Sequence, residues 1–129
     1  MNVLIIEDNG LLLRDAKEEL SVEHEVFCAY NFPSAWYILH KHKPDAIILD
    51  INLSPEGMTL EEINLFAPFI GISFIKKIRE ISDIPIILWS AYHYSTIKDK
   101  IENYTNIYYV RKGVSCFKEL SKLLRTINK

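Results

Sequence analysis

Residues 3–9 read VLIIEDN: four apolar side chains, then two carboxylates, Glu7 and Asp8, side by side. A short unbroken apolar run of this kind reads as a strand covered on both faces. Ending such a strand in adjacent acids is costly, because like charges repel and both lose hydration. A cation at that strand end would offset the cost.

Downstream, strand and helix patterns alternate. Asn9 stands where it can cap a helix with Leu12, Leu13, Ala16 and Leu20 on one face. Residues 25–30 read as a second strand. Asn31 then caps a helix with Pro33 in its first turn and Phe32, Ala35, Trp36 and Leu39 inward, and Pro44 ends it. Residues 46–49 form a third strand, wholly apolar, followed by Asp50. Residues 51–70 read as irregular. Residues 72–81 read as a helix with Phe74, Ile75, Ile78 and Ile81 toward the core, and residues 84–89 as a fourth strand. Tyr94, Ile97, Ile101 and Tyr104 share one helical face. Residues 107–110 make a fifth strand, and Phe117, Leu120, Leu124 and Ile127 mark a last helix. Five apolar strands, each followed by a helix, predict an α/β fold with a doubly wound five-stranded parallel sheet. The 129 residues fit one domain, 1–129, and the last helix uses up the chain, so a stand-alone domain is expected.

Composition narrows the functions. A net charge of −2 gives no reason to expect attraction to nucleic acid or to a membrane surface. No apolar run approaches the ~18 residues of a membrane span, and no basic-then-apolar leader precedes the first strand, so a cytoplasmic protein is expected. Cys28 and Cys116 both sit in apolar patterns and read as free core thiols. His40 and His42, two apart on a helix, point to different sides and make a poor metal pair.

In a doubly wound sheet, ligands bind at the carboxyl ends of the strands. Those ends deliver Glu7 and Asp8, then Asp50, then Ser90 in LWSA, then Lys112 in YYVRKG. If the first and third strands are neighbours, three carboxylates share one crevice and need neutralising. Mg²⁺ prefers oxygen ligands and usually takes one or two carboxylates with water. Lys112 would add further positive charge.

The constellation resembles the receiver domain of two-component response regulators, along essentially the whole chain. The resemblance is carried by IIEDN, IILD, SA and YYVRK at successive strand ends, and by the 22-residue spacing from Ser90 to Lys112. It implies a flavodoxin-like (βα)5 fold and a role for each matching position. Asp50 matches the phosphoacceptor that attacks a phosphohistidine. Asp8 and Asp50 match ligands of Mg²⁺, with the backbone carbonyl of Asn52 as a third. Glu7 matches the acid that holds the metal through water. Lys112 matches the lysine that pairs with the phosphoacceptor, Ser90 the hydroxyl that moves to bond the phosphoryl group, and Tyr109 the aromatic whose rotamer follows. The implied partners are a sensor histidine kinase or phosphotransfer protein and a downstream protein. The resemblance also implies a homodimer through the fourth helix, fifth strand and fifth helix, where Tyr92, Tyr94, Tyr104, Tyr108 and Tyr109 gather. No separate enzymatic domain is implied.

Two departures stand out. Gly113 follows Lys112 where the family has proline, and glycine's access to unusual backbone angles is expected to let Lys112 still aim inward. The glycine that the family carries about eight residues after the phosphoacceptor comes here as Gly71, twenty-one after Asp50. Residues 54–70 therefore read as an inserted loop, in which TLEE has the form of a capping box for a helix over residues 60–66. The loop is expected to fold as a lid beside Asp50. Two other functions compete: a degenerate receiver that binds partners without phosphorylation, and a small flavodoxin-like cofactor carrier. The second is disfavoured because acids stand where that fold cradles phosphate.

Overall fold

A computed structural model describes residues 1–128. Its sheet contains β1 (Asn2–Ile6), β2 (Glu25–Ala29), β3 (Ala46–Leu49), β4 (Ile86–Ser90) and β5 (Ile107–Arg111). All neighbours are parallel, in the order β2-β1-β3-β4-β5. The helices are α1 (Gly10–Leu20), α2 (Phe32–His42), α3 (Leu60–Phe66), α4 (Ile70–Arg79), α5 (Tyr94–Ile101) and α6 (Cys116–Ile127).

The continuous apolar strands are explained by two cores, because successive strand side chains face opposite ways. Leu4, Ile6, Ile47, Leu49, Ile86 and Leu88 point to the face covered by α2, α4 and α5. Val3, Ile5, Ile48, Ile87 and Trp89 point to the face covered by α1 and α6. The expected caps are present. Asn9 Oδ1 accepts from the Leu11 and Leu12 N–H groups, each at 3.1 Å, and Asn31 Oδ1 accepts from Ser34 N–H at 2.9 Å.

Several boundaries differ from expectation. The helix expected over 72–81 begins two residues earlier, and Ile81 lies beyond its end, half exposed. The start is fixed by Gly71, whose N–H donates to the Ile51 carbonyl at 2.7 Å. β4 begins at Ile86 rather than residue 84, because Pro85 has no N–H to enter the ladder and contributes only its carbonyl, to Ile47 N–H at 3.0 Å. Tyr104 lies past the end of α5, so the face it was expected to share holds only Ile97 and Ile101 as buried residues. Cys116 is buried but Cys28 only half-buried; both are free.

The connection from β3 to α4 holds α3. Thr59 Oγ1 accepts from Glu62 N–H while the Glu62 carboxylate accepts from Thr59 N–H, each at 3.1 Å, which is the expected capping box. α3 buries no residue, and Leu60 and Leu65 are about three-quarters exposed. Ile63 and Phe66, partly buried, pack against the core, and a Glu62–Lys77 ion pair at 3.2 Å ties the helix to α4.

Candidate functional site

β1 and β3 are adjacent, with Ile6 opposite Leu49, so their carboxyl ends open on one crevice. The backbone there is pinned. Glu7 N–H donates to the Ala29 carbonyl and Asp50 N–H to the Ile6 carbonyl, both at 3.0 Å. Glu7 is 1% and Asp50 4% exposed, whereas Asp8 faces solvent. One oxygen from each of the three carboxylates lies within 4.8 Å of the others, and this is the one such acidic or His/Cys group among the described residues.

Lys112 arrives from the far side of the sheet. Its N–H donates to the Ser90 carbonyl at 2.8 Å, tying the exit of β5 to the end of β4. Its Nζ then lies 2.5 Å from Glu7 Oε1 and 3.4 Å from Asp50 Oδ2. The expectation for Gly113 is corrected here. Among the described glycines only Gly57 takes a left-handed φ, so Lys112 reaches both acids with Gly113 in ordinary backbone.

Backbone donors complete the acids' environment. Asn9 N–H donates to Glu7 Oε2 at 3.2 Å and Asn52 N–H to Asp50 Oδ1 at 3.1 Å. The electrostatic balance still makes Glu7 easier to protonate than a free carboxylate. Burial, then a hydrogen bond with Asp50 and its charge, push its carboxyl up to about 7 against the opposing pull of Lys112. The crevice, about 290 Å³, is lined by Glu7, Asp8, Asp50, Asn52 and Lys112 together with Asn9, Leu12, Ala91 and Tyr92. Every donor offered by the acidic trio is a hard oxygen, and one of the three is open to solvent. That combination suits a divalent cation that keeps part of its water shell, as Mg²⁺ does.

Glu7, Asp8, Asp50, Asn52 and Lys112 thus come together, whereas Ser90 and Tyr109 stand just outside the lining. Ser90 is buried and its Oγ accepts from Tyr92 N–H at 3.0 Å. The Tyr109 hydroxyl donates to the Tyr92 carbonyl. Tyr92 is therefore the link from both residues to the crevice, a role that its place two after Ser90 and among the clustered tyrosines only hinted at. Trp89 was also missed: Lys112 Nζ lies 5.0 Å from its ring centre. The segment expected as a lid beside Asp50 rests against the crevice wall at Tyr92 without lining the crevice. None of residues 54–70 lines it; Glu56 instead accepts a hydrogen bond from the Asn31 side chain at 2.9 Å, and Phe69 packs on Tyr92 at 5.0 Å.

No protein-family model matches the chain. It is 40% identical over 94 residues to the virulence transcriptional regulatory protein PhoP of Salmonella typhimurium, covering 70% of this chain and 36% of that protein. It is 31% identical over 104 residues to the transcriptional regulatory protein PhoP of Escherichia coli K12. The chain thus spans well under half the length of the curated relatives it matches. Among solved structures, the Francisella response regulator 1452 receiver domain aligns over 98% of this chain and 94% of its own, with TM-score 0.77 and 19% identity. The BeF3-activated N-terminal receiver domain of Klebsiella pneumoniae RstA aligns over 100% of both chains, with TM-score 0.77 and 18% identity. The response regulator TrrA of Thermotoga maritima, solved in complex with Mg²⁺-BeF, aligns over 98% of this chain and 97% of its own, with TM-score 0.75 and 24% identity. At these identities the structural likeness is one of fold.

Proposed function

We propose that this chain, a receiver domain of two-component response regulators, takes a phosphoryl group on Asp50 and uses it to switch a protein-binding surface. The reading rests on one observation above all: Asp50 shares its crevice with Glu7, Asp8 and the ammonium of Lys112. An Asp50 oxygen forms the new O–P bond as the P–N bond of a phosphohistidine breaks, the histidine nitrogen keeping the electron pair and taking up a proton. The donor is a sensor histidine kinase or phosphotransfer protein.

Glu7, Asp8, Asp50 and the Asn52 carbonyl would hold Mg²⁺, which when bound offsets the repulsion between the carboxylate and the anionic phosphoryl group. Lys112 moves its charge from the carboxylates to a phosphoryl oxygen. Ser90 gives up the Tyr92 N–H and turns its hydroxyl to another. Tyr92 is thereby freed, and Tyr109, bonded to the Tyr92 carbonyl, follows. The surface affected is formed by α5, β5 and α6, where the Tyr94 and Tyr109 rings lie 5.5 Å apart and Tyr94 is 47% exposed. A downstream protein or a second copy of the chain would dock there. Residues 54–70 are read as an insertion within one domain, 1–129.

Incubation with Mg²⁺ and acetyl phosphate tests the reading. Intact-protein mass spectrometry should show one added phosphoryl group, and Asp50→Asn should remove it. A wild-type chain that neither takes the group nor binds Mg²⁺ would sink the proposal in favour of a receiver that works without phosphorylation.

A further inference from the structure

We propose that the face of the Trp89 indole is the seat on which Lys112 is held, which makes Trp89 a positioning residue for that lysine. Trp89 is fully buried near the end of β4, opposite Val110 of β5. Lys112 comes two residues after Val110, on the same side of the sheet by the strand period. Its stem therefore leaves β5 above the indole, and its Nζ stands 5.0 Å from the ring centre, within the ~6 Å reach of a cation–π contact.

Three other lysines lie over rings: Lys41 on Tyr37, Lys77 on Phe32 and Lys100 on Phe69. Those heads are more open to water, which weakens the attraction. The Lys112 side chain is only 18% exposed, so its contact acts in a medium of lower polarity. A second observation sets Trp89 apart from ordinary filling. Its Nε1–H is buried and has no hydrogen-bond partner among the described residues. An apolar side chain would fill the space without burying an unpaired donor. What tryptophan adds is the strongest aromatic face for a cation.

The functional consequence rests on the phosphorylation reading above. The carboxylate partners of Lys112 would change as the crevice is used: their oxygens would hold a metal, and phosphorylation would turn Asp50 into an acyl phosphate. The ring is neutral and does not change. It keeps the ammonium at the crevice while its charged partners are rearranged.

The test has two parts. In protein carrying labelled lysine, the Hε protons of Lys112, assigned with Lys112→Met, should resonate upfield of every other lysine through the ring current. The shift should shrink in Trp89→Leu and persist in Trp89→Phe. In the acetyl phosphate reaction with Mg²⁺, Trp89→Leu should slow modification of Asp50 by roughly fivefold, while Trp89→Phe recovers most of the rate. In a Lys112→Met background, Trp89→Leu should add nothing. Wild-type Lys112 protons unshifted from the other lysines would overturn the proposal, as would a Trp89→Leu loss that persists undiminished without Lys112. Should the wild-type chain take no phosphoryl group, the phosphorylation reading fails and the ring-current measurement alone decides this one.

Discussion

At Glu7, burial and the neighbouring Asp50 favour a bound proton, and Lys112 opposes them. The folded carboxyl titrates near 7 against 4.5 for the free side chain, so the fold prefers the protonated form. The stabilisation from that proton is full below about 4.5 and is lost as pH rises through about 7. Without metal, the protein should therefore be more stable at mildly acidic pH than at pH ~8, by about 1–3 kcal/mol from this residue. Glu7→Gln should flatten the dependence in urea titrations at several pH values. With metal the sign reverses, because a cation and the proton compete for the same oxygens. Calorimetry should find Mg²⁺ affinity falling as pH drops through about 7, by at most tenfold per unit. An affinity flat across that window would separate Glu7 from the metal.

Elements hold these residues in place, and two glycines show how differently. A Cβ on Gly71 would stand 2.5 Å from the Asp50 carbonyl oxygen and 2.7 Å from Ile51 Cα, both backbone atoms that cannot swing aside. Gly71→Ala should push α4 off the end of β3 and cost about 1–3 kcal/mol. A Cβ on Gly113 meets nothing within 4 Å, and its backbone suits an ordinary residue, so Gly113→Ala should be neutral or stabilise by about 0.4–1 kcal/mol. Paired denaturant curves check both. α3 is the opposite kind of element, held by its cap, a half-exposed ion pair and the partial burial of Ile63 and Phe66, with no residue fully buried. Thr59→Ala should speed hydrogen exchange across residues 60–66 while leaving β1 and β3 protected. Local grammar made this helix readable, since TLEE encodes its own cap. The start of α4 was not readable, because it depends on a tertiary bond from Gly71 to Ile51.

Over the whole molecule, sheet order decides what the crevice contains. With β1 between β2 and β3, acids separated by more than forty residues become neighbours, and β5 brings Lys112 in from the edge. Apolar strands alternating with helices made the sheet legible, and polar residues at strand ends made Glu7, Asp8, Asp50 and Lys112 legible. The contacts of Tyr92 and Trp89 were not, because they depend on which faces β4 and β5 turn to each other. The same closure makes ligand binding a property of the folded chain alone, since unfolding scatters the three acids. A ligand of the folded form stabilises by mass action, about 2.7 kcal/mol at a hundred times its dissociation constant. For a chain of this size that is a rise in Tm of roughly 8 °C. Mg²⁺ with beryllofluoride should produce a rise of that order in a thermal melt, well above Mg²⁺ alone. Asp50→Asn should abolish the beryllofluoride increment, whereas Gly113→Ala should retain it. An increment that survives Asp50→Asn would locate the anion elsewhere and remove the link between the sheet's topology and phosphoryl chemistry.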